Sequence, residues 1–507
     1  MKDGPAGVTA AEKIEAAEEI GLTHRVRGAV LWRSGSQIAA QLVTWAATFL
    51  VIRLLNPSDY GLFAMTQVVL MFLNLMNGYG FANALVRSET VTPLEIRQMF
   101  GLLILLNAGL ASAQLLLAPL AAVYFRQPEV ATLLRVQALL YVATPFIALP
   151  QALLSRRIDF RGQALAGVVA ALLSAATALS CAAAGWGVWT LVAAPLVLFW
   201  AQGIGLTAVA RSLVWPSFRF KGAGHHIRYG GAMVAIQCFW FAQSQSDIFI
   251  AGRIVAPREL GLYTISLFLT QILAGKFIPP INEVSFAAYA RIQDRRDALA
   301  AAFLKTVRLV MLIALPFYFG LAIAAEPVVL TVLGAKYAET VPLVRTLALA
   351  MPFLALQILF APATNALGRP RAALRVSIAG AAIMPLAFLI GSRFGTIGLA
   401  RAWMFGFPLL TLATAAMSLP VIGAKPAALF RAIAPGLLAS AAMAASVAAL
   451  DSLLPAMPVQ ARLVILAGTG IATYAGLLFA FARPLVEEVL GLALGRRLVK
   501  PAAAQAL

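Results

Sequence analysis

Arg53-Leu54-Leu55-Asn56-Pro57-Ser58-Asp59-Tyr60-Gly61-Leu62-Phe63 is written a second time 200 residues later, as Arg253-Ile254-Val255-Ala256-Pro257-Arg258-Glu259-Leu260-Gly261-Leu262-Tyr263. Arg, Pro, an acid, Gly, Leu and an aromatic hold the same six places in both copies. Each copy lies between two long apolar runs. A repeat of this period is a duplicated half-protein, not a small solenoid unit. Within each copy, the proline ends a helix because it cannot continue the backbone ladder. The acid behind it is placed to cap the next helix, and the glycine lets the turn close. A hairpin turn between two spans thus accounts for the motif, and its information lies in the duplication.

The composition says what the duplicated half is made of. Hydrophobic residues are 61% of the 507-residue chain and charged residues 12%, with a mean hydropathy of +0.88. A soluble protein is about a quarter charged, so the expectation is an all-α polytopic membrane protein with little mass outside the bilayer. The net charge of +19 reads as the positive-inside bias of many short loops. It does not read as a nucleic-acid surface, since no basic stretch carries interleaved aromatics in a soluble context. Cys181 and Cys238 each sit in an apolar run and read as inert core residues, without a disulfide framework or a metal pattern. His24, His225 and His226 fall in expected tails or loops, and the adjacent pair is unsuited to chelating one metal.

A span needs about 20 mostly apolar residues. Fourteen segments qualify, near 31–54, 61–86, 99–124, 131–155, 163–185, 188–210, 228–251, 260–288, 303–325, 342–366, 371–392, 395–419, 428–450 and 460–482. The fifth and sixth are parted only by Gly185-Trp186-Gly187, and 326–341 is an extracytoplasmic re-entrant segment or short helix. Lys and Arg concentrate in alternate loops, which places both termini in the cytoplasm and both motif copies outside. The expected organisation is a cytoplasmic tail over 1–28, a first lobe of six spans over 29–222 and a second of six over 223–422. Two unpaired spans follow over 423–483, then a basic segment over 484–507. Thr9-Ala10-Ala11-Glu12 reads as a capping box for a short helix in the first tail. The acids of residues 1–28 exclude a secretory signal. The last segment suits the membrane surface.

Polar groups inside spans are costly and usually face a cavity or a partner. In span one, Arg33, Gln37, Gln41, Thr44 and Thr48 recur at steps of 4, 4, 3 and 4, so they share one helical face. The stripe suits either helix–helix hydrogen bonding or a water-filled path. Span two ends in a flexible polar stretch with Asn77 and Asn83. Span seven brings Gln237, Ser244 and Asp247 to one face. Span eight carries Lys276, then Pro279-Pro280, then Glu283, and its prolines must break the ladder within the span. Lys276 and Asp247 are positioned to form an ion pair. Arg308 lies near the cytoplasmic end of span nine. These charges lean cationic, which suits an anionic substrate such as a pyrophosphate.

Three stretches of the first half, Gly35-Ser36-Gln37, Arg53 to Leu62 and Gly78-Tyr79-Gly80-Phe81-Ala82-Asn83-Ala84-Leu85-Val86, together resemble the start of bacterial polysaccharide flippases. These are the Wzx-type lipopolysaccharide and exopolysaccharide exporters of the multidrug/oligosaccharidyl-lipid/polysaccharide (MOP) superfamily. Asp247-Ile248-Phe249-Ile250-Ala251-Gly252-Arg253 and Gly261-Leu262-Tyr263 resemble the matching stretch of the second half. The resemblance covers roughly residues 30–420. It implies a V-shaped pair of lobes around a central cavity. It further implies translocation of an undecaprenyl-pyrophosphate-linked oligosaccharide across the bacterial inner membrane by alternating access, among membrane lipids and beside polysaccharide polymerase and export machinery. No cofactor is implied. Coupling to a proton or sodium gradient is compatible with the family, but the candidate acids are few, Asp247 and Glu283.

Two rival classes fit less well. A lipid II flippase or multidrug antiporter of the same superfamily shares the architecture, but an exporter of cationic drugs wants an anionic cavity. A membrane glycosyltransferase, polymerase or ligase needs a large outer loop with acid–base groups, and the outer loops here are short. There is no Walker motif.

Overall fold

A computed structural model describes residues 35, 40–75, 91–157, 160–218, 224–481 and 483, with the side chains of 224–237 and 370 left out. The expected cytoplasmic tail with its capping box, the basic segment over 484–507, Arg33, Gln37, Asn77 and Asn83 lie outside the described residues, as does the side chain of Gln237. Among the described residues the regular structure is helical throughout. The chain divides into two compact units, Met1–Gly231 and Ala232–Leu507.

In the first unit, α1 (Ala40–Leu54) runs through the first motif copy into α2 (Pro57–Asn74). Pro57 sits at the start of α2, where a missing N–H costs nothing. The Asp59 carboxylate reaches back to accept the Asn56 N–H at 2.9 Å, the capping arrangement the motif implies. Next come α3 (Pro93–Phe125), α4 (Pro128–Gln137), α5 (Leu139–Ala143) and α6 (Pro145–Arg156). The last three form one apolar run, Pro128–Arg156, with breaks at Ala138 and Thr144. A close hairpin of α7 (Phe160–Ala183) and α8 (Val188–Ala210) ends the unit. The strap after α8 returns to α3, with the Ser217 N–H donating to the Arg97 carbonyl at 2.9 Å and Arg97 Nε donating to the Trp215 carbonyl at 3.0 Å.

The α7–α8 turn depends on Gly187. Its φ of +55° and ψ of −131° are open only to glycine. A Cβ there would also approach the Asp59 carboxylate to 3.0 Å. Gly187→Ala should therefore lower the melting temperature of the purified protein, at a cost of about 1–3 kcal/mol. Gly109→Ala, where an added Cβ meets open space on α3, should not lower it.

The second unit is built mainly from α9 (Gly224–Ile254), α10 (Pro257–Lys276), α11 (Ile278–Arg291) and α12 (Arg296–Ile323). α9 begins early enough to take in His225 and His226, which the sequence reading placed in a loop: the helix extends one turn past the apolar segment. The uncertain 326–341 region is α13 (Ala325–Val332) followed by a 3₁₀ turn, Ala335–Thr340. It is tied to the second motif copy by a two-pronged ion pair, Arg258 Nη1 and Nη2 to the Glu339 oxygens at 2.8 and 2.9 Å. In the second copy Ala256 holds the place of Asn56, and no side-chain hydrogen bond caps the start of α10.

α14 (Val341–Ile358), α15 (Phe360–Ala366), α16 (Pro370–Gly391) and α17 (Gly395–Ile422) complete this bundle. α18 (Pro426–Leu453) and α19 (Val459–Phe481) dock on α12. Gly436 lies against Leu312 and Leu315, and the Tyr474 hydroxyl donates to the Leu312 carbonyl at 2.7 Å.

Ten stretches of the described residues are long and apolar enough to cross a bilayer, and one of them, Arg371–Ile422, holds both α16 and α17. The chain is a multi-pass membrane protein. The expected spans one, two and seven are not among the ten, although α1, α2 and α9 lie on them. Their polar residues lower the mean hydropathy, and parts of the first two lie outside the described residues. Cys181 is buried as expected, whereas Cys238 is exposed on α9, and both are free thiols.

Candidate functional site

Of the stripe on the first span, Gln41, Thr44 and Thr48 are described. Thr44 donates its hydroxyl to the Ala40 carbonyl at 2.8 Å, and Thr48 to that of Thr44 at 2.7 Å. The two hydroxyl protons are thus satisfied within their own helix and are not donated to a neighbouring one. Thr44 is exposed, and Gln41 and Thr48 are half-buried.

The second unit carries more. The apolar run Pro257–Arg291 is 35 residues long and is broken near its middle, where α10 ends at Lys276 and α11 begins at Ile278. Pro279 and Pro280 cause the break. Neither has an N–H, so the carbonyls of Gly275 and Lys276 lose their helical donors. Such a gap within a membrane is tolerated where it lines protein or water. Gly275, Lys276, Phe277, Pro279, Pro280 and Glu283 are all exposed. The break thus presents an ammonium, two carbonyl oxygens and, two turns on, a carboxylate at mid-span. An ammonium at that depth needs water or an anion.

Asp247 is not its partner. The carboxylate is 1% exposed and accepts the Tyr263 hydroxyl at 2.9 Å and the Ile248 N–H at 2.8 Å. The Tyr263 oxygen in turn accepts the Trp403 indole N–H from α17 at 2.7 Å. Trp403 is held by a parallel stack on Phe407 at 4.6 Å and a tilted contact with Phe388 at 5.7 Å. Helix geometry explains why the expected Lys276–Asp247 pair does not form. Asp247 lies about 10 Å before the end of α9, and Tyr263 about 9 Å after the start of α10, so the hairpin sets them level. Lys276 is about 20 Å further along α10. Ser244, one turn before Asp247, is half-buried and directs its hydroxyl to the Phe241 carbonyl at 3.5 Å. Gln243 packs on the backbone of Gly380.

Sequence reasoning missed Tyr263 and Trp403. A signal for the first was present in the repeat. At its offset of 200, Asp247 corresponds to Ala47 and Tyr263 to Phe63. The carboxylate and the hydroxyl that meets it are both present in the second copy and both absent from the first. Nothing in the sequence points to Trp403, which is 140 residues from Tyr263. Arg308 is half-buried on α12. Among the described residues no cluster of three or more His, Cys, Asp or Glu converges as a metal site.

A family model described as polysaccharide biosynthesis protein matches residues 50–342, which include both motif copies. The succinoglycan biosynthesis transport protein ExoT of Rhizobium meliloti is 25% identical over 339 residues, 66% of this chain and 69% of that protein. The lipopolysaccharide biosynthesis protein WzxC of Escherichia coli is 22% identical over 301 residues, 58% of this chain and 60% of that protein. Among solved structures, lipid II flippase MurJ in an inward closed conformation matches with a TM-score of 0.73. That match covers 90% of this chain and 100% of the other at 13% identity, a likeness of fold.

Proposed function

This chain belongs to the polysaccharide biosynthesis protein family, and from that premise we propose that it is a flippase for a polysaccharide precursor. Its cargo is a polyprenyl-pyrophosphate-linked oligosaccharide, moved from the cytoplasmic to the periplasmic leaflet of a bacterial inner membrane, with both termini in the cytoplasm. It acts as a carrier and makes or breaks no covalent bond. The observation that carries the reading is the mid-span break at Lys276, which holds an exposed cation where a membrane protein otherwise has none. An ammonium beside free carbonyl oxygens suits an amphiphile with an anionic phosphate linkage and a hydroxyl-rich sugar. The succinoglycan and lipopolysaccharide assignments in the names of its relatives support that class of cargo.

Deleting the gene in its host should abolish the surface polysaccharide and leave lipid-linked oligosaccharide accumulating on the cytoplasmic side. Intact surface polysaccharide, or accumulation of lipid II with lysis, would overturn the reading.

A further inference from the structure

We propose that α16 and α17 hold one anionic phospholipid on their lipid-facing side, through a site distinct from the cargo site. The two helices form a hairpin whose backbones nearly touch. A Cβ on Gly391 or on Gly398 would collide with the carbonyl of the other, and one on Gly406 would press on Met384 and Ala387. With no side chains to fill that seam, the flanking residues wall in a groove of ≈ 470 Å³. Its lining is apolar except for one ionised residue, Arg401.

Arg401 is exposed, and it makes no hydrogen bond or ion pair among the described residues. It stands two positions from Trp403, which is buried against Tyr263. Two positions turn a helix by about 200°, so the guanidinium points away from the Asp247–Tyr263–Trp403 chain. Below it, Phe405 and Leu409 follow at steps of four on the same stripe, 71% and 55% exposed, and Leu386 flanks them from α16 at 59%. Exposed apolar walls of this kind face lipid rather than water.

The groove therefore has a cation about midway along it and hydrocarbon surface on both sides. It runs about 22 Å along α17 from Phe394 to Leu409, more than half of a bilayer core of about 30 Å. Arg401 is about 9 Å from the start of α17, within reach of the headgroup level for a side chain that extends toward the interface. A guanidinium pairs with one phosphodiester through a two-pronged hydrogen bond, and an acyl chain then lies along Phe405, Gly406 and Leu409, the part of the groove beyond it. The guanidinium faces away from α10, whose terminal Lys276 marks the cargo site, and that sets the phospholipid apart from the cargo.

The test is native mass spectrometry of the full-length protein in detergent, titrated with phosphatidylglycerol. The wild type should retain one more phosphatidylglycerol than R401Q, with at least five-fold weaker retention in the variant. R401K should keep part of the effect. R375Q, which removes an exposed arginine of α16 outside the groove, should keep all of it. Equal occupancy in the wild type and R401Q would overturn the site. Equal retention of phosphatidylcholine, or displacement of phosphatidylglycerol by equimolar undecaprenyl phosphate, would overturn the assignment to an anionic phospholipid.

Discussion

Lys276→Glu should abolish export, while the protein reaches the membrane in normal amount. The side chain is exposed and has no hydrogen bond or ion pair among the described residues, so its loss disturbs no packing. What it loses is a contact to an anion. A hydrogen bond to a charged group contributes about 1.5–3 kcal/mol, which corresponds to about ten- to a hundredfold in the interaction. Lys276→Ala should lose that much. The glutamate adds repulsion between like charges close to an existing acid, Glu283, and should lose more. Lys276→Arg keeps the charge and should keep most of the activity. The measurement is surface polysaccharide restored to a deletion strain, normalised to the protein in the membrane fraction. Wild-type polysaccharide from the glutamate variant would remove Lys276 from the path.

The second large effect is on stability. Tyr263→Phe strands two buried groups at once, the Asp247 carboxylate and the Trp403 indole N–H. A buried polar group left without its partner costs about 1–3 kcal/mol, and more when it is charged. The melting temperature of the purified variant should fall by more than that of any conservative substitution at an exposed position. Asp247→Ala introduced into the Tyr263→Phe background should recover part of the loss. The pair then reads Ala and Phe, as the first copy does at Ala47 and Phe63. The coupling between the two substitutions should lie in the range of about 1–3 kcal/mol found for residues in one network. Strictly additive losses would show that the two groups do not act on each other.

The helical architecture and the duplication were legible because both are written locally. Apolar runs and the Arg–Pro–acid–Gly–Leu–aromatic spacing need no knowledge of what packs against what. The break in the second half was legible for the same reason, since Pro279-Pro280 forbids a continuous ladder wherever it occurs. The partner of Asp247 was not. Choosing between Tyr263 and Lys276, both on one span, requires the level at which two helices meet, and that level is set by the length of the turn at Pro257. Trp403 was further out of reach, because its bond to Tyr263 exists only once α17 has packed against α10. Nor did periodicity alone show that Arg401 and Trp403 point to opposite sides of α17, because residues on both sides of that helix are apolar.

The interruption between α10 and α11 also determines where that span can bend. Elsewhere along it, flexing would stretch backbone bonds, but at Gly275 and Lys276 those bonds are already forgone. A joint of this kind pivots without breaking anything, and the Lys276 ammonium sits at the pivot. Any swing of α11 about this joint would therefore move Glu283 relative to Lys276 and change the spacing of the two charges that the break presents.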